Sequence, residues 1–136
     1  MKKIIGFICL VLIGLQFIPR PKKNISAVSG ISPVFQSNPA VLNILEKSCL
    51  DCHSNNTKYP WYASIQPLSL WINHHIEEGK EEMNFSEFQT YSLKKQQHKL
   101  KELVEQIEEG EMPMSSYTLI HRSARLSAEE IGRAHV

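Results

Sequence analysis

Apolar positions along this chain recur with the spacing of helix faces, and no stretch alternates in the manner of a half-buried strand. Residues 4–15 form a nearly continuous apolar run behind Lys2 and Lys3, closed by Gln16-Phe17-Ile18-Pro19. Val41, Leu42, Ile44 and Leu45 make one face of a helix with Asn38 as N-cap and Pro39 at its first position, expected to run into Cys49. Gln66-Pro67 opens a second helix through Leu68, Leu70, Trp71, Ile72 and Ile76, expected to stop near Gly79. The longest helix is predicted from Ser92 to Glu109, with Leu93, Leu100, Leu103, Val104 and Ile107 on one face and Gly110 as its stop. Ser127-Ala128-Glu129-Glu130 has the form of a capping box opening a last helix. The pattern predicts one small all-α domain without internal repeats.

The ends divide the chain further. Residues 1–19 read as a signal or anchor segment. No small-x-small cleavage site follows, and Arg20, Pro21, Lys22 and Lys23 come directly after it, so an uncleaved single-pass anchor is expected at least as readily as a removed signal peptide. The run is short for a bilayer, positive residues on both sides leave its orientation open, and Cys9 sits in the wrong company for a lipoprotein site. Residues 20–38 read as a tether and 39–130 as the domain. Glu130-Ile131-Gly132-Arg133-Ala134-His135-Val136 resembles the conceptual translation of a sequencing-adapter read-through, so 131–136 are read as a non-native tail and His135 is set aside as a ligand.

Charge narrows the function classes. The chain is +1 overall, but five of its fifteen Lys and Arg precede Asn24 while all fourteen Asp and Glu follow it, leaving the domain net acidic by four. That balance gives no support for nucleic-acid binding.

The chemistry is concentrated in Cys49-Leu50-Asp51-Cys52-His53. C-x-x-C-H spacing fits covalent capture of one haem, two thiols forming thioethers with the vinyl groups and the imidazole reaching the iron. A thioredoxin-like redox pair wants a βαβ context, and the flanks here are helix-like and turn-like. A structural zinc site needs two more ligands at finger or ribbon spacing, and the remaining cysteine, Cys9, lies in the apolar run. A single haem c is therefore the expected cofactor, and it would also supply apolar surface to a domain too small for a large core of its own. Attachment occurs on the oxidising side of a bacterial inner membrane, so a periplasm-facing domain is expected.

His53 fills one axial position, and the opposite one decides the reactivity. Met112, in Glu111-Met112-Pro113-Met114 after the helix stop at Gly110, is the first candidate, and Met114 the second. His75 and its neighbour His74 are the rivals, weighed against a solvated role beside Glu77, Glu78, Glu81 and Glu82. His98 lies in a polar stretch, and His121 follows Tyr117 on an expected loop. Tyr59-Pro60-Trp61-Tyr62 and Trp71 are read as core rings that also shield a haem edge.

These residues carry a resemblance. Cys49-Leu50-Asp51-Cys52-His53-Ser54-Asn55, Thr57-Lys58-Tyr59-Pro60-Trp61-Tyr62, Trp71, Gly79, Asn84-Phe85-Ser86-Glu87-Phe88, Gly110-Glu111-Met112-Pro113, Tyr117, His121 and Leu126-Ser127 resemble the haem-binding domain family, small exported bacterial proteins with one C-x-x-C-H. Gln16-Phe17-Ile18-Pro19 resembles the family's junction between anchor and domain. The resemblance maps the Met of a Gly-x-Met-Pro element onto Met112, while Met114 falls where the family commonly has another apolar residue and His75 at a variable position. Phe88, where the family often has Trp, and the C-terminal segment depart from it. It implies haem binding and a cytochrome-like role without naming a pathway. The expected function is periplasmic electron transfer with a periplasmic or membrane redox partner, after passage through the c-type maturation machinery. The alternative is a haem-based small-ligand sensor or peroxidase-like enzyme using His74, His75, His121 or Arg122, whose spacing forms no recognisable peroxidase constellation.

Overall fold

The computed structural model describes residues 1–21 and 30–133, and every regular element among them is helical, with no strand. The order is α1 (Lys2–Leu15), α2 (Pro33–Gln36), α3 (Pro39–Ser48), α4 (Leu50–His53), α5 (Leu68–Glu82), α6 (Leu93–Glu108), α7 (Ser115–Ile120) and α8 (Ala128–Gly132). Short 3-10 turns lie at Trp61–Ser64, Phe88–Thr90 and Arg122–Ala124. The all-α expectation holds.

Local chemistry accounts for most boundaries. Asn38 accepts hydrogen bonds from the amides of Ala40 and Val41, with Pro39 at the first turn of α3. Ser92 accepts from Lys95 N at the start of α6, and Gly110 takes φ +75° just beyond its end, a conformation that favours glycine. Ser127 and Glu130 form a reciprocal capping box on α8. Two boundaries differ from expectation. α5 does not stop at Gly79 but continues to Glu82, and α7 with His121 as its C-cap replaces the expected loop.

The core is small. Leu45, Met83, Phe85 and Phe88 form its buried centre, with Phe35, Ile31, Val41, Leu50, Tyr91 and Leu103 packed around them. Phe35 meets Phe85 and Phe88 edge to face at ring-centroid distances of 5.0 and 4.9 Å. Ser32 N donates to Phe85 O at 2.9 Å, so residues 31–35, read from sequence as the end of a tether, belong to the packed body. The expected core role of two rings is also corrected: Trp61 is 78 % exposed, and Trp71 is about half exposed with its edge against His75. Of the segment read as a tail, Ile131 and Gly132 form the end of α8 and Arg133 caps it, while 134–136 and the tether positions 22–29 lie outside the described residues.

α1 is apolar and almost wholly exposed. Among the described residues no helix is long and apolar enough to cross a membrane.

Candidate functional site

Cys49 ends α3, donating its amide to Leu45 O at 2.9 Å, while its own carbonyl accepts from His53 N at 3.0 Å. The C-x-x-C-H segment is thus a single helical turn, α4, that starts where α3 stops. The segment 84–88 holds it from below. Phe85 N donates to His53 O at 2.8 Å, Asn84 Nδ2 donates to Asn55 Oδ1 at 2.7 Å, and the Ser86 hydroxyl accepts from Asn55 N at 3.1 Å. α5 closes the other flank, where Gly79 lies so near that a Cβ there would stand 3.1 Å from Cys52 O and 3.3 Å from Cys52 Cβ.

The His53 ring sits edge-on to Phe85, and its Nδ1 lies 3.0 Å from Met83 O. A carbonyl only accepts, so Nδ1 carries the proton and donates, leaving the Nε2 lone pair free to ligate. Burial holds the imidazole below its ordinary pKa, opposed by the carbonyls of Met83 and Gly79, which keeps it neutral at pH 7.

His53 and Cys49 border a cavity of about 440 Å³, and Met112 borders it too. Met83, Phe85, Leu103, Ile107, Pro113 and Leu126 supply apolar walls, and Lys99 with Glu82 and Glu102 forms a charged rim. Lys99 Nζ lies 3.0 Å from Glu82 and 2.8 Å from Glu102. Met112 is fixed by backbone. Past the turn at Gly110, the amides of Glu111 and Met112 both donate to Gln106 O, at 3.0 and 3.1 Å, which pins the thioether-bearing residue to the end of α6. The buried Ser48 hydroxyl also borders the cavity and has no partner among the described residues. A free imidazole nitrogen, a thioether, a thiol, apolar walls and an unpartnered hydroxyl fit a haem, which is a flat apolar disc with a two-sided metal and polar carboxylates.

Not every candidate gathers here. Cys52 and Met114 border a second hollow of about 70 Å³, together with Tyr62, Trp71, His75, Tyr117 and His121. His75 packs against Trp71 and pairs with Glu78 at 3.3 Å, and His74 is exposed beside the same carboxylate. His98 is exposed and paired with Glu102. His121 stacks on Tyr117 at 4.4 Å and hydrogen-bonds the Tyr62 hydroxyl. Arg122, beside it, is exposed.

Both thiols are free in the structure, and burial, reinforced by Cys52 at Cys49 and by the Asp51 carboxylate at Cys52, pushes Cys49 up to about 12 and Cys52 to about 11. Thiol-disulfide catalysts of C-x-x-C type lower a thiol pKa instead. Among the described residues, no cluster of three or more His, Cys, Asp and Glu comes together to hold a metal ion.

Several contributors have no local signature in the sequence. Met83 acts through a carbonyl, which any residue offers, and Gly79 acts through close approach. Tyr117 donates to Asp51 Oδ2 at 2.8 Å across 66 residues, joining α7 to the C-x-x-C-H turn. Burial, together with that carboxylate, raises the Tyr117 pKa, so the hydroxyl keeps its proton and the bond persists across the neutral range.

Compared with known protein families, residues 10–134 match the haem-binding domain, from within α1 to beyond α8. No curated protein and no solved structure matches the chain. With a match running over nearly the full sequence, the chain belongs to the haem-binding domain family, and haem is its cofactor.

Proposed function

We propose that this protein carries one covalent c-type haem, ligated by His53 and Met112, and passes single electrons at the periplasmic face of a bacterial inner membrane. One observation carries the reading: His53, with Nε2 free, and Met112 border the same apolar cavity, while Met114, His75 and His121 border another. His53 and Met112 would hold a haem there, which would supply a one-electron ferric/ferrous couple, and a thioether ligand in place of a second imidazole would raise its potential.

The chain does the rest. Cys49, which borders the cavity, and Cys52, about one helical turn further on beside the second hollow, would provide the sulfurs for attachment, and Met83 O holds the His53 tautomer and ring orientation. The apolar walls exclude water, and Lys99 at the rim is already paired with Glu82 and Glu102. The net acidic domain meets a basic or mixed patch on a periplasmic or membrane redox protein through a small, transient interface. Residues 1–19 stay on as the tether to the membrane, and the c-type maturation machinery loads the haem after export.

Acid-organic extraction and carbon monoxide binding test this on holoprotein made with c-type maturation. The expected result is haem retained by the polypeptide, reversible one-electron reduction, and ferrous protein slow to bind carbon monoxide because both axial positions are filled. Extractable haem would end the covalent reading. Rapid carbon monoxide binding by a high-spin ferrous form would end electron transfer in favour of small-ligand sensing or peroxidase-like chemistry.

A further inference from the structure

Among the described residues, hydrogen bonds join the end of the apolar helix α1 to the packed body. Gln16 Nε2 donates to Gln66 O at 2.9 Å, Gln66 N donates to Gln16 Oε1 at 3.1 Å, and Gln66 Nε2 reaches Ile18 O at 3.4 Å. Gln66 is buried, so this is a two-way amide clamp and sets the direction in which α1 leaves the domain. Around the clamp the surface is apolar: Phe17 and Ile18 on one side, Trp61, Ile65 and Leu68 on the other, all exposed. No Asp or Glu occurs between Asp51 and Glu77, whereas Glu77, Glu78, Glu81 and Glu82 crowd the opposite end of α5. The fourteen residues of α1 rise only about 21 Å at 1.5 Å per residue. That is short of a hydrocarbon core of about 30 Å.

We propose that the corner made by Trp61, Ile65 and Leu68 rests in the lipid interface at the foot of α1, with the haem cavity at the opposite end of α5 turned to the aqueous phase. The inference rests on reading residues 1–19 as the membrane tether. A hydrophobic helix shorter than the bilayer draws its flanks toward the headgroups, and the flank that the clamp supplies is this corner. Tryptophan favours that interface, and the lack of carboxylates suits an anionic lipid surface. Glu82 and Met83 border the haem cavity, and Lys99 of α6 pairs with Glu82, so both lie about 20 Å along α5 from Leu68. The four glutamates then face away from the lipid, toward a soluble partner.

Full-length holoprotein is reconstituted in vesicles of mixed zwitterionic and anionic phospholipid, labelled by a carbene reagent dissolved in the lipid phase, and mapped by peptide mass spectrometry. The expected result is label in α1 and in residues 61–68, and none in the α6 peptide bearing Leu93, which is apolar and 77 % exposed but sits on the distal helix. Label in α1 without label in 61–68 overturns the docking while leaving the tether intact, and protection of 61–68 from a water-phase reagent as well would assign the corner to a second copy or another protein. Equal label at Leu93 overturns a fixed orientation. Absence of label from α1 removes the tether reading and the docking with it.

Discussion

At the scale of single residues, three contacts set the C-x-x-C-H turn: Met83 O on His53 Nδ1, Phe85 N on His53 O, and Gly79 against the Cys52 backbone. Gly79→Ala pits two effects against each other. Alanine in a helix interior gains about 1 kcal/mol over glycine. A Cβ 3.1 Å from a carbonyl oxygen must push backbone rather than a flexible side chain, and such overpacking costs about 1–3 kcal/mol. The expected outcome is net destabilisation, read as a lower thermal midpoint together with a perturbed haem spectrum; a variant as stable as the parent would show that the approach is not tight. A glycine after a periodic apolar face is the usual signal for a helix stop, so this one reads as a stop although α5 runs on to Glu82. Nothing local distinguishes a glycine needed for close approach, since its partner lies 27 residues earlier in the chain. Cys49, Cys52, His53 and Met112 stand out as candidates in the sequence because C-x-x-C-H spacing and a Gly-x-Met-Pro element each mark them within a few residues.

Among the elements, the caps at Asn38, Ser92, Gly110 and Ser127 are local and were legible, whereas the links between elements were not. Tyr117 to Asp51 is one such link, holding α7, and with it the Met112-Pro113 segment, to α4. Tyr117→Phe keeps the ring and removes a hydrogen bond to a charged acceptor, a loss of about 1–3 kcal/mol. A lower denaturant midpoint and a weaker ferric sulfur-to-iron band are expected, the second because Met112 loses its positioning; a lower midpoint with the band unchanged would limit Tyr117 to stability. Lys47 and Glu130 join α3 to α8 in the same way. The Lys47 ammonium, with the Ser127 amide, lowers the Glu130 carboxyl from 4.5 to about 2. A carboxylate with a lowered folded-state pKa adds stability above its unfolded pKa and loses it as pH falls through the folded one. Glu130→Gln should therefore be less stable than the parent above about pH 4.5, with the difference closing toward pH 2, as acid titrations of the unfolding midpoint would reveal. A difference independent of pH would place its origin outside the ion pair.

For the molecule as a whole, a short list of buried apolar residues stands beside a cavity of about 440 Å³, so a haem seated there would complete the core instead of decorating it. Protein produced without haem attachment should melt earlier and less cooperatively by circular dichroism than the holoprotein; coincident melting curves would mean that the helices hold without it. The all-α class followed from periodicity, but the incorporation of residues 31–35 into the core did not, since Ile31, Val34 and Phe35, interrupted by Ser32 and Pro33, are too few to set a helical or strand period and look like linker. Ligation by His53 and Met112 is tested most directly by optical spectra of the ferric and ferrous holoprotein, comparing the parent with Met112→Ala and Met114→Ala. A low-spin haem whose weak ferric sulfur-to-iron band vanishes in Met112→Ala and persists in Met114→Ala is expected. A band that survives in Met112→Ala, or a parent protein that is high-spin, would contradict it.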